Sequence, residues 1–128
     1  MIKLTPTAGT YTANATIPLT QVFNTNNKLA LSSNAISIRE AGFVEVEGNI
    51  NVTSTATGVI QVNLIANGST VATTGVVSSA IGDELTIPVY DLFRVIPQSL
   101  LSGFATISLQ IADACTISGG VITAKYIR

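Results

Sequence analysis

Residues 58–75, GVIQVNLIANGSTVATTG, constrain the fold more than any other part of the chain. Apolar and amide side chains alternate from Ile60 to Leu64, which is the two-residue period of a strand with one buried face. The dipeptide Asn67-Gly68 then supplies the two positive-φ residues that a two-residue hairpin turn prefers. We therefore predict two antiparallel strands, residues 59–66 and 70–77, joined by this turn.

The same alternation recurs along the chain and predicts an all-β protein. Further strands are predicted at residues 16–22, 28–31, 36–38, 43–53, 84–95, 105–112 and 121–127, the last one entered through a Gly119-Gly120 turn. One short helical turn is expected near Pro97, because proline is favoured at the first position of a helix. About eight strands separated by turn residues are typical of a β-sandwich or jelly roll. We expect one such domain over residues 1–128, with residues 1–15 as an extended N-terminal arm.

The chain carries unusually few charges. Charged residues make up 10% of it and hydrophobic residues 47%, whereas charged residues are about 25% of an average soluble protein. There is no run of about 20 apolar residues, so we expect no membrane-spanning helix and no membrane partner. The shortage of charge favours a surface that is partly covered by other protein. The alternative is a sheet rich in Thr and Asn that faces water.

The distribution of charge also excludes a nucleic-acid partner. The net charge is −1 and the six basic residues are scattered, whereas binding to phosphates needs a basic patch. The N-terminal residues lack the apolar segment of a signal peptide. We therefore expect the chain to be made in a cytoplasm and to stay there or be released by lysis.

We find no motif for catalysis or metal binding. Histidine is absent and Cys115 is the only cysteine, which removes the commonest general base and the usual zinc ligands. Glu45 and Glu47 lie roughly 7 Å apart on one strand face, a spacing from which a glycosidase pair could be built. Two Glu alternating with Val are more typical of a solvated strand. Cys115 follows small and apolar residues and is predicted to be a buried packing residue. We expect no enzyme activity, no catalytic residue, no metal and no cofactor.

Several segments resemble, in order and spacing, the strands of the C1q/TNF-like jelly roll. They are GFVEVEGNINV, VIQVNLIANGSTV, IGDELTIPVYDLFRV, GFATISLQIADA and GGVITAKYI, which together span roughly residues 16–127. The pair PVYDLFRV and TISLQI is similar to strands of small phage structural proteins of this type.

The resemblance implies a function and a set of partners. Domains of this family form compact homotrimers with one sheet of each jelly roll packed around the threefold, and in viruses they decorate capsids or form the heads of fibres. No collagen-like stalk or tail anchor is visible, which favours a capsid decoration or head-fibre protein on the virion exterior, made in the host cytoplasm. The implied partner is the phage major capsid protein or another virion protein. The alternative is a trimeric fibre head that binds a receptor or a host-surface glycan.

The last strand of this family lies in the sheet next to the threefold. Here one face of that strand carries Tyr126 and the other carries Lys125 and Ile127. Because an unpaired lysine is costly to bury, we expect Lys125 and Ile127 to face neighbouring subunits, with Glu45 and Glu47 as carboxylate partners at the trimer interface. Tyr126 is expected to face the core, with its hydroxyl bonded near the end of the sandwich.

Overall fold

The computed structural model describes residues 1–101 and 103–128 and is a sandwich of two antiparallel sheets. Among these residues the only helical element is a single 3-10 turn, Pro97–Leu100. The strands are β1 (Ile2–Pro6), β2 (Gly9–Tyr11), β3 (Ala15–Thr16), β4 (Leu19–Asn24), β5 (Leu29–Ser32), β6 (Ala35–Ile38), β7 (Gly42–Ser54), β8 (Gly58–Ala66), β9 (Ser69–Ser78), β10 (Glu84–Val95), β11 (Ala105–Ile111) and β12 (Cys115–Ile127).

Each sheet has six strands. Sheet I has the order β10-β7-β12-β1-β4, with the short β2 paired to the beginning of β12. Sheet II has the order β5-β6-β11-β8-β9, with the two-residue β3 paired to the end of β11. The chain crosses repeatedly from one sheet to the other, so the all-β jelly-roll prediction is confirmed.

The core lies between the two sheets, because alternate residues of each long strand point inward and most of these are apolar. Along β11, for example, Ala105, Ile107, Leu109 and Ile111 are at most 3% exposed. The only buried polar residues in the described part of the chain are serines, and each hydroxyl donates to a backbone carbonyl. They are Ser37, Ser54 and Ser78.

The predicted hairpin is confirmed. Asn67 has φ 51° and Gly68 φ 84°, so both central residues have the positive φ of a tight hairpin turn. Ala66 pairs with Ser69 across it. The Asn67 side chain further accepts a 3.0 Å bond from the backbone N–H of Thr106, which ties the turn to β11.

The prediction of an N-terminal arm over residues 1–15 is wrong. Strand β1 lies inside sheet I between β12 and β4, and its residues Ile2 and Leu4 are fully buried. The predicted strand 16–22 is instead split at Pro18, with β3 in sheet II and β4 in sheet I. The proline has no N–H for a ladder, while its carbonyl accepts a 2.9 Å bond from the N–H of Thr7.

The predicted Gly119-Gly120 turn is also wrong. Both glycines lie within the continuous strand β12, where the register shifts between Ile117 and Gly119. A Cβ on Gly120 would lie 2.3 Å from the backbone oxygen of Asn49, and one on Gly48 would lie 1.9 Å from that of Val121. Glycine is therefore needed here because β7 and β12 approach closely, and not because the chain turns.

Candidate functional site

The four residues predicted at a subunit interface come together on the outward face of sheet I. Lys125 lies opposite Glu45, Thr123 opposite Glu47 and Ile127 opposite Phe43 in the pairing of β12 with β7. The alternate residues of β7, such as Val44 and Val46, are fully buried, which turns the two glutamates outward.

Strand β10 extends this face on the other side of β7. Its residues Tyr90 and Leu92 lie opposite Glu47 and Glu45, and Arg94 lies opposite Phe43. Sequence reasoning did not place these residues at the site. The alternation of β10 could have shown that they face away from the core, but their position beside the glutamates depends on the order of the strands in the sheet.

The face carries a group of large apolar side chains that remain open to solvent. Tyr90 is 54% exposed, Leu92 48%, Ile127 44% and Phe43 40%. They form a diagonal band across three strands: Leu92 follows Tyr90 on the same side of β10, Phe43 of β7 lies diagonal to Leu92, and Ile127 of β12 lies opposite Phe43. Clusters of exposed apolar groups with a polar surround are typical of interaction surfaces.

A hydrogen bond connects the apolar and charged parts of the face. The Tyr90 hydroxyl donates to Glu45 Oε2 at 3.0 Å, and this bond to the carboxylate raises the pKa of Tyr90 above its usual range. Over residues 1–101 and 103–128 the one ion pair joins Lys28 and Glu40, 3.4 Å apart. The Lys125 amine and the Glu47 carboxylate therefore have no ion-pair partner within the described chain.

A shallow depression of about 360 Å³ lies in the middle of the face. Gly48 is among its lining residues, at the point where β7 pairs with both β10 and β12. Tyr90, Glu47, Asn49 and Thr123 are on its walls.

The expected orientation of Tyr126 is confirmed within the chain. Its ring packs partly buried against the core, and its hydroxyl donates to the carbonyl oxygen of Ala41 at the end of the sandwich. The Lys28 amine lies 4.7 Å from the ring centroid, within the range of a cation–π contact. Lys125, the preceding residue, is exposed on the opposite face.

Cys115 and Asp83 are titratable residues that lie away from this face. Cys115 is a free thiol that is 0% exposed, and burial, assisted by the charge of Asp113, raises its pKa. The Asp83 carboxylate accepts bonds from the N–H groups of Ala80 and Ser79 in the turn between β9 and β10.

The part of the chain that the structure describes has no group of three or more His, Cys, Asp or Glu arranged to hold a metal. It also has no helix long and apolar enough to cross a membrane.

Comparison with known proteins finds similarity in structure alone. No protein-family model matches the chain, and no curated protein matches it in sequence. The crystal structure of murine APRIL at pH 8.5 is similar with a TM-score of 0.73 and 10% identity, covering 97% of this chain and 96% of that one. The Eiger TNF of S. frugiperda is similar with a TM-score of 0.60 and 8% identity, covering 99% and 93%. At such identities the likeness concerns the fold, and the chain has a TNF-like jelly-roll fold.

Proposed function

We propose that this chain is a non-enzymatic structural protein of a phage virion, a homotrimer that decorates the capsid or forms a head fibre on the particle exterior. The observation that carries the proposal is the outward face of sheet I, where exposed apolar residues lie in register with charges of both signs. The TNF-like fold and the resemblance of PVYDLFRV and TISLQI to phage structural proteins support it.

If this face packs around a threefold axis, both its apolar and its charged residues gain partners in the neighbouring copies. The apolar group at Tyr90, Leu92, Phe43 and Ile127 would supply the buried centre, at roughly 25 cal/mol for each Å² removed from water. Lys125 of one copy would meet Glu45 or Glu47 of the next. Such pairs contribute only about 0.2–1 kcal/mol when exposed, so their role would be to orient the subunits.

Light scattering after size-exclusion chromatography tests the trimer. We expect a mass three times the 13.2 kDa of one chain. Lys125→Glu would place a third negative charge beside Glu45 and Glu47, so it should lower the mass while leaving the fold intact. Arg39→Glu is the matched control for the trimer, because it makes the same change in charge at an exposed residue outside this face. The two variants are compared by the mass of the trimer itself and not of any larger assembly. A wild-type mass of one chain at micromolar concentration contradicts the proposal.

Electron microscopy of virions labelled with an antibody against this chain tests its location. Label distributed over the capsid surface supports a decoration or head-fibre protein whose partner is the major capsid protein or another capsid component. We propose that the chain is made in the host cytoplasm and joins the particle there. Label at the tail tip alone, or no label, contradicts the capsid location.

A glycan-binding head is the second candidate function. The depression beside Tyr90 favours it, because an exposed aromatic ring next to amide and carboxylate oxygens can hold a sugar. This function requires a trimer contact that leaves Tyr90 open, and so excludes Tyr90 from the buried centre described above. Titration of the protein with host-surface oligosaccharides, compared with Tyr90→Ala, tests this function. Binding that Tyr90→Ala abolishes supports it, and no binding removes it.

A further inference from the structure

The charged residues of the chain are unevenly distributed between the two ends of the sandwich. One end forms where β7 begins and β10 and β12 stop, since Gly42 pairs with Val95 and Phe43 with Ile127. Strands β5, β6 and β11 also begin or end here, because Leu29 and Ala105 both pair with Ile38. We name this the basic end. Its basic residues are Lys28, Arg39, Arg94, Lys125 and Arg128.

The opposite end forms where β7 stops and β10 and β12 begin. Glu84 pairs with Thr53, and Cys115 pairs with Ser54. The loop before β12 joins this end through Asp113, whose carboxylate accepts a 3.0 Å bond from the N–H of Gln61. We name this the acidic end. Its charged residues are Asp83, Glu84 and Asp113, and no basic residue lies there.

The two ends have charges of equal size and opposite sign. Counted as far as the row of Lys125 and Glu45, the basic end has five basic residues and two acidic ones, Glu40 and Glu45. Its excess is therefore three positive charges, against three negative charges at the acidic end. The thirteen residues of β7 separate the ends by ~40 Å at the usual rise of a strand. This is several times the screening length of ~8 Å at about 0.15 M salt. The charges of one end therefore act on what lies beside that end, and barely on each other.

Each end also presents an apolar side chain to solvent. At the basic end Leu101 is 88% exposed and Ile96 38% exposed, both in the loop that follows β10. At the acidic end Ile81 is 73% exposed in the turn before β10. Each end thus combines an accessible apolar contact with surrounding charge of one sign, and the signs are opposite.

We propose that the basic end of one copy binds the acidic end of a second copy, so that the protein stacks head to tail. Two basic or two acidic ends would repel, which fixes the polarity of the contact. A head-to-tail contact joins different surfaces and repeats without closing, so it builds an open chain. The charges of Lys125 and Glu45, which the proposed trimer uses, cancel, and without them the basic end still has an excess of three positive charges. The head-to-tail contact therefore goes beyond the proposed trimer, because a single copy already carries both ends.

Sedimentation velocity at two salt concentrations tests the stacking. We call the species that stacks the base unit; it is the trimer proposed above or, if no trimer forms, the single chain. The wild type should form a series of growing species at about 0.01 M salt and dissociate to one base unit at about 1 M, because the screening length falls from ~30 Å to ~3 Å. A basic-end variant, Arg39→Glu with Leu101→Glu, and an acidic-end variant, Ile81→Lys with Glu84→Lys, should each lose stacking by at least tenfold in the association constant. All four residues are exposed, so the folded base unit should be unchanged.

Mixing the two variants separates a specific contact from a general effect of net charge. Each variant retains one intact end, so the mixture should form one species of two base units and grow no further. Absence of that species overturns the proposal, as do variants that stack like the wild type. A wild type that remains one base unit at low salt also overturns it, and leaves a different acidic protein as the partner of the basic end. The mass of the base unit at high salt reports separately on the proposed trimer.

Discussion

Two adjacent glycines of β12, Gly119 and Gly120, should respond differently to replacement with alanine. Gly120 has φ 141°, and a Cβ there would lie 2.3 Å from the backbone oxygen of Asn49 and 3.0 Å from the Cα of Ile50. At Gly119 the same Cβ would have no atom within 4 Å, and the backbone does not adopt a positive φ. The pair Gly120→Ala and Gly119→Ala is therefore a matched comparison of the same chemical change in one strand.

The loss of stability expected for Gly120→Ala follows from the contact between its Cβ and β7. The atom it meets belongs to a backbone and cannot swing away, so the two strands must separate by about 1 Å to bring the contact near 3.0 Å. Separation weakens neighbouring ladder hydrogen bonds, each contributing about 1 kcal/mol. Alanine at this φ adds ~1–3 kcal/mol of backbone strain. We expect a loss of about 3 kcal/mol in the free energy of unfolding, a large part of the ~5–15 kcal/mol that holds a typical domain.

Urea or thermal unfolding followed by circular dichroism measures the difference. Gly120→Ala should lower the melting temperature by roughly 10 °C for a chain of this length. Gly119→Ala should leave it unchanged or raise it, because alanine restricts the unfolded chain by ~0.4–1 kcal/mol. Equal stability of the two variants would refute the close approach of β12 to β7 at Gly120.

Four further predictions concern single residues. In urea unfolding, Tyr126→Phe should lower the free energy of unfolding by about 1 kcal/mol, because the hydrogen bond to Ala41 is lost. Tyr126→Ala should lower it by ~3 kcal/mol, because packing is lost as well. A Tyr126→Ala variant as stable as the wild type would mean that the ring does not pack on the core. Gly68→Val should cost ~1–3 kcal/mol, since a β-branched residue is strained at positive φ, and wild-type stability would contradict the hairpin geometry. The buried thiol of Cys115 should react with a thiol reagent only after unfolding, and a reducing agent should not change the melting temperature; rapid labelling of the native protein would show the opposite. Hydrogen bonds from the backbone and from serine side chains lower the pKa of Asp83 in the folded protein. The ionised carboxylate should therefore stabilise the fold above the unfolded pKa of about 3.8, and this stabilisation should be lost as the pH falls through the lower folded pKa. If Asp83→Asn and the wild type unfold in acid with the same profile, this reasoning is contradicted.

The parts of the fold that sequence reasoning predicted correctly depend on local pattern. Strands β7, β8, β10 and β11 alternate apolar and polar residues over most of their length, and the Asn67-Gly68 turn is specified by two adjacent residues. The outward orientation of Glu45, Glu47 and Lys125 follows from the same alternation. None of these predictions required knowledge of which strands are neighbours.

The errors occurred where the structure depends on pairing between distant residues. Strand β1 contains only five residues, and its partner β12 lies at the far end of the chain. Ile2-Lys3-Leu4-Thr5 does alternate as a strand does, but two apolar residues are too short a pattern to show that the segment enters a sheet. A glycine pair is also ambiguous from sequence, because turns and close strand contacts both require the absence of a Cβ. The adjacency of Tyr90 to Glu45 and Glu47 could not be predicted for the same reason, since it depends on the strand order.

The central position of β12 in sheet I has a consequence for synthesis of the chain on the ribosome. Strand β12 separates β7 and β10 on one side from β1 and β4 on the other, and it follows all of them in the sequence. Until residues 115–127 have been translated, the nascent chain contains two half-sheets whose facing edges have unpaired N–H and C=O groups. Such edges invite pairing with other chains. We therefore expect newly made protein to need protection from aggregation until β12 has emerged and inserted between the two halves.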